Sequence, residues 1–209
     1  MQLRSDSFND GDFIPTQYAF GKTSPEGEID LADNKSPHLA WSELPDGTKS
    51  LAILCIDSDA PTKADDVNKE GRVVPSDLPR ADFSHWVLVD VAPDAVIAEG
   101  AFSNGVTPKG KQGPEGPRGT RCGINDYTGW FAGDPDMAGD YFGYDGPCPP
   151  FNDSIVHHYG FTAYALDVGR LDVDGHFTAA GVLAAIDGHV LAEASLVAKY
   201  TINPNAQEL

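Results

Sequence analysis

The sequence predicts an antiparallel, β-rich α+β domain with helices segregated at one end, and three observations carry that reading. Strand signals dominate: short or alternating apolar runs occupy 50–56, 85–91, 158–166 and 196–202, each bounded by Pro, Gly, Asn or Asp. Only two stretches read as helical, and both come late, which is not the regular βαβ alternation of a parallel sheet. The 209 residues suffice for one well-buried domain, read here as 1–209.

In chain order, Ser50-Leu-Ala-Ile-Leu-Cys-Ile56 is the first strong strand and runs into the polar turn Asp57-Ser-Asp59-Ala-Pro61. Residues 62–84 are charged and Pro-containing, and read as a long loop before His85-Trp-Val-Leu-Val-Asp-Val91. Residues 103–143 are rich in Gly, Pro and Asp and read as a second long insertion; loops of that length are uncommon unless functional. The segment 144–161 then packs Gly146, Pro147, Pro149 and Pro150 into a rigid turn and delivers His157 and His158 at the mouth of another apolar run. The Ala and Leu content of 178–185 and 190–198 suits helices, with Gly188 placed as a helix stop.

Composition excludes several functions. A formal net charge of −18 argues against nucleic acid or an anionic membrane surface as partner, since phosphate polymers need a positive footprint. Any anion pocket must be a local exception to that field. No apolar run reaches the roughly 18 to 20 residues of a membrane span, and the N-terminus lacks a secretory pattern, so a cytoplasmic protein without integral membrane association is expected. Cys55, Cys122 and Cys148 are odd in number and lack metal spacing, so free thiols are expected and no metal or cofactor is implied.

Near-motifs fail on inspection. Gly105 to Gln112 resembles a phosphate loop but ends in Gln where a Ser or Thr hydroxyl is needed. Gly110, Gly113, Gly116 and Gly119 keep a period of three for too short a span to form a triple helix. Asp134 to Asp145 starts like a calcium loop but places Ala138 at a ligand position. No nucleophile elbow, Cys-x-x-Cys or His-Glu-x-x-His is present, so no catalytic residue is assigned.

Taken together, Asp57-Ser-Asp59-Ala-Pro61, His85-Trp86, Gly146-Pro-Cys-Pro149-Pro150 and His157-His158-Tyr159 resemble the phosphatidylethanolamine-binding protein family, whose relatives include the Raf kinase inhibitor proteins. The bacterial branch is the closer match, through Asn34 to Trp41, Pro45 to Ser50, Tyr164 to Asp167 and Gly188 to Leu196. Two positions depart: Ser58 stands where the first motif carries its first Pro, and His158 where Arg is usual. The second change exchanges a permanent charged fork for a group that titrates near neutrality.

The resemblance implies a large antiparallel sheet packed on a smaller one, with peripheral helices and a small cavity at one end. It implies a ligand-binding set of Asp57, Asp59, Pro61, His85, Gly146, Pro149, Pro150, His157 and Tyr159, and a cis bond at Ala60–Pro61. The implied ligand is a small anionic or phosphorylated molecule of the phosphorylethanolamine type. On this reading Asp57 fixes the tautomer of His85, while His157 and Gly146 meet the anion. A protein-interaction or inhibitor role toward a kinase or protease is the alternative, and a homodimer is left open by the bacterial branch. A hydrolase using the Asp–His cluster is the third reading, with Cys148 as its one candidate nucleophile.

Overall fold

The computed structural model describes residues 1–208. Its strands are β1 (Gln2–Arg4), β2 (Gly21–Thr23), β3 (Ile29–Leu31), β4 (Ala40–Ser42), β5 (Ser50–Pro61), β6 (Arg80–Val91), β7 (Arg121–Cys122), β8 (His157–Leu166) and β9 (Val190–Tyr200). Two short helices, α1 (Tyr127–Trp130) and α2 (Ala179–Ala185), complete the list with two 3-10 turns. A five-stranded antiparallel sheet has the order β7-β6-β5-β8-β9, and two small two-stranded sheets, β1–β4 and β2–β3, accompany it. No helix among the described residues is long and apolar enough to cross a membrane.

The central strands are apolar on both faces because both faces are covered. Leu51, Ile53 and Cys55 of β5 join Trp86, Leu88, Tyr159 and Phe161 in one core, while Ala52, Leu54, Val87 and Val89 face α2 in a second. On β8 the alternation is clean, with His157, Tyr159, Phe161, Ala163 and Ala165 buried between half-buried neighbours. Helix α2 starts at Thr178, whose side chain accepts the Gly181 N–H, and buries Val182 and Ile186 against the second core. It is followed by Gly188 at φ +77°, and the chain turns straight into β9.

Residues 190–198 are strand, not helix. The Ala-Glu-Ala-Ser-Leu run has helical propensity, but ten residues of β9 pair with β8 from Val190 to Tyr200, and tertiary pairing overrides so weak a local preference. The 62–84 loop is shorter than expected, because β6 begins at Arg80. The 103–143 segment is not featureless; it carries β7, α1 and a 3-10 turn.

Register breaks position the site. Cys55 pairs with Trp86 but Ile56 pairs with Ser84, so His85 is an extra residue, a β-bulge. Simple alternation from Trp86 would send His85 to the α2 side; the bulge turns it toward Tyr159 on the other face, with ring centroids 5.2 Å apart. A second break lies between Asp57 and Ala60, where β5 resumes pairing as Ala60–Ala81 and Pro61–Arg80. Pro61 thus continues an extended strand. Its bond to Ala60 is trans, correcting the expected cis bond, and Gly113–Pro114 is the cis X-Pro bond among the described residues.

Candidate ligand cavity

The ends of β5, β6 and β8 and the Gly-Pro turn enclose a cavity of about 300 Å³. Of the residues singled out from sequence, Asp57, Pro61, His85, Pro149, Pro150, His157 and Tyr159 line it, whereas Asp59 and Gly146 do not.

Each polar group there has a definable state. His157 is 1 % exposed; its Nδ1–H donates to Asp57 Oδ2 at 2.8 Å and its Nε2–H donates to Asp153 Oδ2 at 3.0 Å. Two carboxylate acceptors on one ring require both nitrogens protonated, an imidazolium. Burial alone would lower its pKa, but the hydrogen bonds and charges of Asp153 and Asp57 outweigh that and push it up to about 9. Asp153 also receives a two-pronged contact from Arg80, at 2.6 and 3.0 Å. Burial opposes ionisation of Asp153, yet His157 and Arg80 hold its carboxyl below the usual range. Asp57, His157, Asp153 and Arg80 therefore form one buried chain of alternating charge.

His85 is held differently. Its Nδ1 lies 2.8 Å from the Asp145 carbonyl oxygen, which can only accept, so Nδ1 carries the proton. Nε2 has no hydrogen-bond partner among the described residues. Burial lowers the His85 pKa, and the opposing charges of Asp57, Asp145 and Asp126 do not restore it. The Asp145 carboxylate is fully buried and receives Asn34 Nδ2, Asn125 Nδ2 and Lys111 Nζ, each at 2.8 Å. Lys111 belongs to the 103–143 segment, so that insertion is tied electrostatically to the backbone that orients His85.

The geometry revises three expected roles. Asp57 orients His157 rather than His85. His157 has no free N–H to give a ligand. Gly146 is a packing residue: its N–H donates to Asn34 Oδ1 at 2.8 Å, its carbonyl accepts the Tyr127 hydroxyl at 2.8 Å, and a Cβ would collide with the Tyr18 carbonyl oxygen. Asp59 closes the turn instead, with its own N–H donating to Asp57 Oδ1 and its carboxylate accepting both the backbone N–H and Nδ1 of His158, all at 2.8 Å.

Sequence reading missed most of the wall. Phe20, Phe83, Tyr127 and Phe131 form an aromatic cluster, with Phe20 stacked on Tyr127 at 4.7 Å and Tyr127 on Phe131 at 5.5 Å. The aromatic spacing of Tyr127, Trp130 and Phe131 inside a Gly- and Pro-rich insertion was the available signal. Arg80 and Asp153 carried none. The Tyr159 hydroxyl is buried away from the cavity and has no hydrogen-bond partner among the described residues, while the residue forms part of the cavity wall.

Residues 4–201 match the family profile described as phosphatidylethanolamine-binding protein. The chain belongs to the phosphatidylethanolamine-binding protein family. It is 32 % identical to UPF0098 protein YbhB of Escherichia coli over 201 residues, covering 96 % of this chain and 100 % of that one. Identity to a UPF0098 protein of Methanothermobacter thermautotrophicus is 34 % over 200 residues, with 96 % and 98 % covered. The crystal structure of E. coli YbcL, described as a member of the mammalian PEBP family, superposes with a TM-score of 0.69 at 27 % identity, covering 97 % of this chain and 98 % of that chain. The PEBP homolog CT736 of Chlamydia trachomatis does so with a TM-score of 0.62 at 28 % identity, with 95 % of each chain covered. The large sheet, the small strand pairs and the peripheral helices are those of this family's fold.

Proposed function

We propose that this family member is a non-catalytic binding protein whose cavity receives a small phosphorylated ligand of the phosphorylethanolamine type. One observation carries the reading: a cavity large enough for a small molecule gathers Asp57, His85, His157 and Tyr159 on its wall, and His85 Nε2 has no hydrogen-bond partner among the described residues. An unsatisfied buried polar group costs about 1–3 kcal/mol, and a ligand that meets it recovers that cost. About 300 Å³ is the lower end of the range for small-molecule pockets.

The absence of an activated nucleophile supports a binding role over hydrolysis. Cys148 lines the cavity, but burial pushes its thiol up to about 12, so at neutral pH it is not a thiolate. His157, also on the cavity wall, has no free nitrogen with which to take a proton.

The test is calorimetric titration of phosphorylethanolamine into wild type and His85→Ala. The variant should bind at least fivefold more weakly, about 1 kcal/mol. Wild type that binds neither phosphorylethanolamine, phosphate nor nucleotides would refute the proposal.

A further inference from the structure

Asn104 is the one asparagine of the chain's eight that precedes a glycine. An asparagine amide is open to attack by the backbone nitrogen of the next residue. A following side chain crowds that approach, and glycine has none. Asn34, Asn125 and Asn152 have their amides committed to hydrogen bonds inside the fold. Asn104 is exposed, and its side chain makes no hydrogen bond among the described residues. Gly105 has φ +131°, and a Cβ built on it meets nothing within 4 Å, so its nitrogen is reached through open space. The Gly105 N–H makes no close hydrogen bond among the described residues.

The residues on either side of Asn104 are anchored to one hub. Asn34 is fully buried, and its Nδ2 donates to Ser103 Oγ at 3.2 Å, Gly105 O at 3.3 Å and Asp145 Oδ1 at 2.8 Å. Its Oδ1 accepts the Gly146 N–H at 2.8 Å. The Asp145 carbonyl in turn accepts Nδ1–H of His85. The backbone of 103–105 thus steadies Asn34, Asn34 holds the Gly-Pro turn, and the turn orients His85.

We infer that Asn104–Gly105 is a site of spontaneous deamidation and isomerisation, and that isoaspartate formed there loosens the Asn34 hub. The Gly105 nitrogen gives its proton to water and forms a bond to Asn104 Cγ, and the side-chain nitrogen leaves as ammonia. The product is a succinimide ring, and water adds to one of its two carbonyls. Opening at Cγ gives aspartate. Opening at the main-chain carbonyl gives isoaspartate, whose backbone runs through Cβ and Cγ. Either product adds one negative charge, and isoaspartate also adds a methylene to the backbone between Ser103 and Gly105. That extra length carries Gly105 O away from Asn34, and a contact of 3.3 Å has little slack before it ceases to be a hydrogen bond.

Ageing the purified protein at pH 8.5 tests this, followed by peptide mass spectrometry with electron-based fragmentation, which separates isoaspartate from aspartate. Asn104 should convert at least tenfold faster than any other asparagine of the folded chain. The rate should rise with pH, because the attacking nitrogen must lose its proton. Aged protein, resolved from fresh by anion exchange, should show shifted NMR resonances for the Asn34 side-chain amide and the His85 imidazole. Asn104→Asp, which adds the charge without the methylene, should keep both at their wild-type positions, as should aged Asn104→Ala. Conversion of Asn104 no faster than that of the other asparagines overturns the site. Isoaspartate protein whose Asn34 and His85 resonances match fresh protein overturns the coupling. Asn104→Asp that moves them as far overturns the backbone argument, since charge alone then suffices.

Discussion

His157 reaches back from the start of β8 to place Nδ1–H 2.8 Å from Asp57 Oδ2, while the strand register pairs Asp57 with Tyr159, two residues further on. The contact is diagonal across two neighbouring strands. Asp153, four residues before His157, closes the other side of the ring at 3.0 Å. The cation is thus gripped by carboxylates contributed from separate segments, and its charge state is coupled to the fold.

That coupling predicts an alkaline loss of stability. The folded pKa of His157, about 9, exceeds the ordinary value of 6.5, so its contribution is complete below about pH 6.5 and is lost as pH rises through about 9. The size is on the order of 3 kcal/mol. Urea unfolding at pH 6.5 and pH 10 should show the drop, and His157→Gln should be less stable than wild type at pH 6.5 and flatten the profile. A wild-type curve level across that range would contradict the imidazolium assignment.

Lys111→Met should destabilise the fold by about 3 kcal/mol, because it strands the buried Asp145 carboxylate on two amide donors. Adding Asp145→Asn should recover part of that loss, a coupling a double-mutant cycle reads directly. Additive losses would mean that the pair is not an energetic unit.

Gly146→Ala should cost more than about 3 kcal/mol or prevent folding, since a Cβ meets the Tyr18 carbonyl and the backbone of Ala19. Gly129→Ala, in α1 with nothing within 4 Å of the added methyl, is the control and should be neutral or slightly stabilising. Thermal melts of the two variants decide it; equal midpoints would refute the packing role of Gly146.

Native Cys148 should alkylate slowly at pH 7.5, with a rate that climbs about tenfold per pH unit and shows no plateau below pH 10, as its thiol titrates near 12. Mass spectrometry of iodoacetamide-treated protein follows the residue. A plateau near neutrality would revive a nucleophilic role.

The strands of the large sheet were legible because their apolar runs are long and bounded by turn residues: β5, β6 and β8 lie where alternation placed them, extended at their polar ends. The first part of β9 was not, because its Ala, Glu and Leu residues favour helix locally and only the partner strand decides otherwise. Asp57, His85, His157 and Tyr159 were found as a set, yet their pairing was misassigned. The partner of each histidine depends on a one-residue bulge at His85 and on loop residues Asp145 and Asp153, whose acidic character does not distinguish them from the many other acidic residues of this chain.

One asparagine ties two walls of the cavity together. Asn152 Nδ2 donates to the carbonyls of Asp66, Lys69 and Arg72, its Oδ1 accepts the Asn68 N–H, and Asn68 Oδ1 in turn accepts the Phe151 N–H. The segment bearing Val67 and Asn68 and the turn bearing Pro149 and Pro150 are thereby stitched into one rigid jamb. The opposite side of the doorway has no such stitching among the described residues: half-exposed Trp130 lines it beside Phe131 and Met137, so its width depends on side-chain rotamers rather than on a backbone clamp.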